Sequence, residues 1–164
     1  MVMAPPRPSK TAVLAQLEAV LREDLRALES VAAATRSEVG SDETRQEGQY
    51  DTRATEASYL ARGQARRITE LRRQLAWVER FDAARVLDPP MVQVGALVAL
   101  EGEREELVFV APVGGGKLRV GGGTLRVISP NGPLGQAMAE LEPGDEFEVD
   151  SPRGVSSYEV AEVW

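Results

Sequence analysis

The strongest constraint on this chain is Asp88-Pro89-Pro90, together with the change of pattern across it. Before it, apolar residues recur every three or four positions. Beyond it, they recur every two. Consecutive prolines stop a helix and stiffen the exit, so the sequence predicts a helical part, a short linker at 88–91 and a sheet-forming part at 92–164.

In the helical part Leu14, Leu17, Leu21, Leu25, Leu28 and Ala32 form one apolar stripe. Ser9 suits its N-cap, after a disordered leader at 1–8, and Gly40-Ser41 should close it near residue 37. A second stripe runs through Ala57, Ala61, Ala65, Ile68, Leu71, Leu75 and Val78, within about 53–84. Two stripes of similar length, joined by a short polar segment, predict an antiparallel helical hairpin, a coiled coil over 9–87. Each helix would span roughly 42–45 Å at 1.5 Å per residue. Ala57, Ala61 and Ala65 near the far end would let the helices approach closely there. The joining stretch around 40–52, Ser41-Asp42-Glu43-Thr44-Arg45-Gln46-Glu47-Gly48-Gln49-Tyr50-Asp51, is acidic, so the hairpin should carry carboxylates at its tip.

Composition narrows the chemistry. The chain has no cysteine and no histidine. That removes thiol chemistry, the usual general base and the usual zinc ligands. A bound metal must take oxygen ligands, which favours magnesium, manganese or calcium. No apolar run is long enough for a membrane span, and the first residues lack the apolar core of a signal peptide, so a cytoplasmic protein is expected. Residues 1–87 are nearly balanced, whereas residues 88–164 hold 13 Asp+Glu against 5 Lys+Arg. An acidic half repels nucleic-acid phosphates at long range and fits a basic protein surface or plain solubility.

In the sheet part, strands are expected from Val92, Val94, Leu97 and Val98, from Leu107–Val110, from Leu118–Val120 and from Leu125–Ile128. A short helix should run from Pro133 to Leu141, with proline in its first turn. A tight turn follows at Glu142-Pro143-Gly144-Asp145. Phe147 and Val149, then Tyr158, Val160 and Val163, should complete a small antiparallel sheet. Gly114-Gly115-Gly116-Lys117 is not a phosphate loop, because Leu118 follows the lysine and a strand comes next. The fold class expected is α+β.

The residues also resemble a family. Ile128-Ser129-Pro130, Pro133-Leu134-Gly135-Gln136-Ala137, Pro143-Gly144-Asp145 and Ser157-Tyr158-Glu159-Val160 follow the order of motifs in the C-terminal domain of bacterial Gre transcript-cleavage factors. Glu47-Gly48-Gln49-Tyr50, leading into a helix, is similar to that family's Glu-Asn-Ala-Glu-Tyr segment. The resemblance implies an FKBP-like C-terminal domain that docks on RNA polymerase, with a hairpin entering the secondary channel. It implies a monomer with no enzyme activity of its own and no metal bound in isolation. Tip carboxylates would hold magnesium jointly with the polymerase, which then cuts backtracked RNA. Carried onto this chain, the assisting carboxylates are Asp42, Glu43 and Glu47, with Glu47 and Asp42 as metal ligands. Tyr50, Arg62, Arg66 and Arg73 would face polymerase and the RNA 3′ segment, and Ser129, Pro130, Leu134 and Gly135 would dock on polymerase.

The tip departs from the family's Asp-x-x-Glu pair: three residues after Asp42 stands Arg45, and three after Glu43 stands Gln46. Arg45 opposes cation binding there. Other readings therefore remain open: a secondary-channel regulator that binds without cleavage, a peptide-binding or chaperone-like protein, and a coiled-coil assembly protein. The helix-two arginines equally suit pairing with helix-one acids such as Glu18, Glu23 and Glu29.

Overall fold

The computed structural model describes residues 7–42 and 50–164. Two long helices come first, α1 (Lys10–Asp42) and α2 (Tyr50–Arg80). Six strands and one short helix follow: β1 (Leu97–Glu101), β2 (Glu106–Val110), β3 (Lys117–Val120), β4 (Gly123–Ile128), α3 (Pro133–Met138), β5 (Glu146–Ser151) and β6 (Gly154–Val163). The chain divides into two units, Glu18–Arg80 on one side and Met1–Leu17 with Phe81–Trp164 on the other. No helix among the described residues is long and apolar enough to cross a membrane.

In the helical unit, Ile68, Leu71, Leu75 and Val78 bury one stripe of α2, and Leu21 and Ala32 bury the matching stripe of α1. Arg22 reaches Glu79 at 3.2 Å, and Arg72 reaches Glu29 at 2.7 Å. Seven residues forward on α1 thus match seven residues back on α2, so the pair is antiparallel. The alanines that would permit close approach do not pack as a seam. Ala61 and Ala65 are exposed and, with Ala32, Thr35, Ala54 and Ala57, line an open groove of about 800 Å³. Methyl groups supply too little bulk to fill the space between two helices.

Helix ends differ from expectation. α1 runs through Gly40 and Ser41 to Asp42, and α2 starts at Tyr50 and stops at Arg80. Ser9 caps α1 as expected, its hydroxyl accepting the Ala12 N–H at 3.1 Å. Asp82 ends the helical course after α2, its carboxylate accepting the Ala84 N–H at 3.0 Å.

The second unit is built on one sheet in the order β3-β4-β2-β1-β6-β5. One face carries Val98, Leu100, Val108, Val110 and Val160, packed with Met138 of α3. The other carries Leu97, Phe109, Leu118, Leu125 and Val127, all buried. On that side Arg7 and Pro8, expected in the leader, border a hollow with Ala99, Leu107 and Leu125. Arg7 pairs with Glu162 and lies 5.1 Å from the Trp164 ring centroid. Trp164 itself is tied to Leu97 by two backbone hydrogen bonds, of 2.8 and 2.9 Å.

Two strand expectations need correction. The sheet is not wholly antiparallel: β2 and β4 pair in parallel, Val108 opposite Arg126 and Val110 opposite Ile128. β3 lies at the edge and returns the chain through Gly121-Gly122, so the second strand of that hairpin, not the first, joins β2. Alternating hydrophobicity records facing but not direction. Val92 and Val94 also precede β1. Val92 instead exchanges backbone hydrogen bonds with Glu140 and Leu141, closing the chain after α3.

This closure sets Glu140 at φ +62°, a left-handed conformation that a Cβ disfavours. Glu140→Gly is expected to raise stability by about 1 kcal/mol, read from urea unfolding midpoints.

Lys10 is the one buried charged residue among those described, 7% exposed at the first turn of α1. Desolvation, then the Arg85 charge, hold its pKa below the ordinary lysine value. The unfolded chain therefore keeps this proton to higher pH than the folded one, and folding strengthens as pH rises through the window between the two values. Lys10→Met should raise the unfolding temperature at neutral pH and remove part of that alkaline gain.

Candidate functional site

Three groups of residues carry the functional expectations. The first is the tip. Asp42 is the last residue of α1 and Tyr50 the first of α2, so residues 43–49 join the two helix ends. Glu43 and Glu47 lie outside the described residues. Among the described residues no cluster of three or more carboxylates is placed to hold a metal ion. The donors available at the tip are oxygens, which suit a hard cation that keeps other ligands elsewhere. The carbonyl end of a helix such as α1 also carries partial negative charge, which favours a nearby cation.

The second group lies on α2. Arg62, Arg66 and Arg73 are all exposed, and no ion pair engages them among the described residues. Of the helix-one acids, Glu29 meets the expected helix-two arginine and Glu18 does not. Glu18 pairs with Arg22 at 2.5 Å, and Glu29 takes Arg72. Arg67 is bound to Glu70 at 2.6 Å. Among the described residues the pairing expected between helix-two arginines and helix-one acids thus falls on Arg72 alone, while Arg67 takes an acid of its own helix and Arg62, Arg66 and Arg73 face water. Arg80, also exposed, belongs with them: it stands five full turns from Arg62 at 3.6 residues per turn. Tyr59, 68% exposed, extends the same face. It lies opposite the stripe of Ile68, Leu71, Leu75 and Val78 that packs the helix. The periodicity that marks the core stripe marks this face too, once residues are followed for five turns.

The third group is one local assembly. Ser129 and Pro130 leave β4, Asn131 and Gly132 turn the chain, and Pro133 opens α3. The Ser129 hydroxyl accepts the Asn131 N–H at 3.2 Å, and its carbonyl accepts the Gly132 N–H, also at 3.2 Å. The Gln136 side chain donates to the Asn131 carbonyl at 3.0 Å. Gly135 then sits directly against this turn: an added Cβ would lie 2.0 Å from the Ser129 oxygen and 2.8 Å from the Pro130 Cα. Leu134 packs on the core beneath. The structure thus brings Ser129, Pro130, Leu134 and Gly135 together. It also gives Gly135 and Leu134 evident work in folding, whereas Ser129 and Pro130 remain partly exposed.

Residues 89–164 match the family described as transcription elongation factor, GreA/GreB, C-terminal. The likeness to the GreA/GreB family thus lies in the C-terminal part of the chain, residues 89–164. A transcription elongation factor GreA from Halorhodospira halophila (strain DSM 244 / SL1) is 36% identical over 98 residues, covering 59% of this chain and 60% of that protein. The match thus spans about three fifths of that relative's length. Among solved structures, Thermus aquaticus Gfh1 is 18% identical with a TM-score of 0.39, over 87% of this chain and 90% of its own. A GreA/GreB elongation factor from Nitrosomonas europaea is 24% identical with a TM-score of 0.36, over 57% and 77%.

Proposed function

We propose that this protein is a Gre-family factor that binds RNA polymerase at its secondary channel and stimulates the polymerase's own cleavage of backtracked RNA. One observation carries the reading. A GreA/GreB C-terminal domain follows an antiparallel helix pair whose connection, residues 43–49 with Asp42 at its edge, bears carboxylates. In this reading the protein is a cytoplasmic monomer and no enzyme by itself, because most metal ligands belong to the polymerase.

Each part has a physical task. The C-terminal domain docks through the turn at Ser129 and Pro130, which α3 buttresses through Gly135. The paired helices act as a stiff rod, locked in register by Arg22 with Glu79 and Arg72 with Glu29. The arginine face of α2, with Arg62, Arg66 and Arg73, holds RNA phosphates near the 3′ segment. Glu47, with Asp42 or Glu43, presents oxygens toward the reacting phosphate. A magnesium ion bound there would stabilise the attacking and leaving oxygens of an in-line displacement.

The decisive experiment is RNA cleavage in a purified backtracked elongation complex with magnesium, with polymerase binding scored in the same sample. Faster 3′-end cleavage supports the reading. Absence of both binding and cleavage overturns it. A second outcome has its own support, since the tip lacks an Asp-x-x-Glu pair and places Arg45 among its acids. Binding without cleavage would identify a regulator that occupies the channel, and such a protein would compete with an active Gre factor.

A further inference from the structure

The acidic C-terminal module concentrates its positive charge in one place. Residues 88–164 contain five cations, Arg104, Lys117, Arg119, Arg126 and Arg153. Three of them stand on β3 and β4, at one end of the sheet. Lys117 is directly opposite Arg126 in register, and Arg119 is opposite Thr124. Residues two apart on a strand share a face, so Lys117, Arg119 and Arg126 all point the same way. Directly opposed side chains stand about 5 Å apart at Cβ and diagonal ones about 7 Å.

Their face is the one that α3 covers farther along the sheet. Arg126 precedes Ile128 by two residues on β4, and Ile128 packs against the cluster containing Met138 of α3. Lys117 and Arg119 are exposed. Arg126 has its Nε 3.1 Å from a Glu106 carboxylate oxygen, an ion pair not aligned for a hydrogen bond. That acid offsets one cation of the three. A like-charged pair directly opposite is unfavourable in a sheet, and here it is built into a module whose other charges are mostly negative. The approach is also open. A Cβ at Gly115, Gly116 or Gly122, in the loops at either end of β3, would meet nothing within 4 Å.

We propose that Lys117, Arg119 and Arg126 form a docking surface for an acidic protein segment of RNA polymerase, continuous along β4 with Ser129 and Pro130. The proposal rests on the polymerase-binding reading above and names the chemistry of one of its contacts. Charge complementarity calls for an anionic partner, and the acids elsewhere in the module favour a short acidic protein segment over a long polyanion. Three cations with one compensating acid match a turn of Asp or Glu residues. A long polyanion would instead meet the repulsion of the 13 acids in the same module.

The test is binding of the full chain to nucleic-acid-free core polymerase across a range of salt concentrations. Lys117→Glu with Arg119→Glu should raise Kd about tenfold and flatten its salt dependence. Lys117→Gln with Arg119→Gln should show a smaller loss in the same direction, with the wild-type unfolding midpoint retained as the check on folding. Wild-type affinity in both variants, while the wild type itself binds, would overturn this surface and leave the polymerase reading standing. Failure of the wild type to bind core polymerase would sink the reading and this surface together. If the wild type instead retains free RNA and the variants lose it, the partner is nucleic acid and the acidic-segment assignment falls.

Discussion

Gly135→Ala lowers folding stability by about 3 kcal/mol or more, the upper range for overpacking a well-filled site. The added methyl carbon would stand 2.0 Å from the Ser129 carbonyl oxygen, 2.9 Å from the Ser129 carbonyl carbon and 2.8 Å from the Pro130 Cα. All three are backbone atoms, so no side-chain rotation relieves the clash. Relief requires α3 to move off the turn. Such movement would pull on Leu134 and on Met138, which is fully buried among Val98, Leu100, Val108 and Val160. Urea unfolding reads the effect directly, as a lower midpoint. A stability change within about 1 kcal/mol would show that α3 shifts freely and does not buttress the turn rigidly. Because the same glycine supports Ser129 and Pro130, the surviving folded fraction should also lose polymerase affinity.

Much of this architecture was legible in the chain because the helix and strand periods record which face is buried. Leu14, Leu17, Leu21, Leu71, Leu75 and Val78 all fall on buried positions, and Ser9 caps where its chemistry suggested. The Pro143-Gly144-Asp145 turn formed as expected: the Asp145 N–H reaches the Glu142 carbonyl at 3.1 Å, and its carboxylate accepts the Glu142 N–H at 2.8 Å. What escaped the sequence was long-range. The parallel pairing of β2 with β4 depends on which strand of a hairpin returns inward, and no local pattern encodes that. The burial of Lys10 and the seat of Arg7 on Glu162 and Trp164 join residues more than 70 or 150 positions apart. The groove at Ala61 and Ala65 escaped for a different reason. Small residues permit close approach but do not drive it, since there is little apolar area to bury. At the candidate site, the motif Ser129–Gly135 was legible as a unit, but its division into buttress and exposed turn required the distances around Gly135.

Glu47→Ala is expected to reduce stimulated RNA cleavage on the order of a hundredfold while leaving polymerase affinity nearly unchanged. A metal that stabilises both oxygens of an in-line displacement contributes several kcal/mol, and a lost ligand removes part of it. Binding should survive, because Ser129 and Pro130, the residues proposed to dock, belong to the C-terminal domain and the arginine face lies on α2. Asp42→Ala with Glu43→Ala gives the companion result. If the aspartate role has passed to that pair, cleavage falls as it does for Glu47→Ala. If Glu47 acts alone, the double variant retains most activity. Magnesium titration separates a ligand from a bystander. Loss of a true ligand raises the magnesium concentration needed for half-maximal cleavage, whereas loss of a bystander charge leaves it in place. Arg45 bears on the same measurement, since in the proposed reading a positive charge between these acids in the sequence would weaken cation affinity and set the wild-type magnesium requirement high. Unchanged cleavage and unchanged magnesium dependence in both variants would remove the tip from the chemistry altogether.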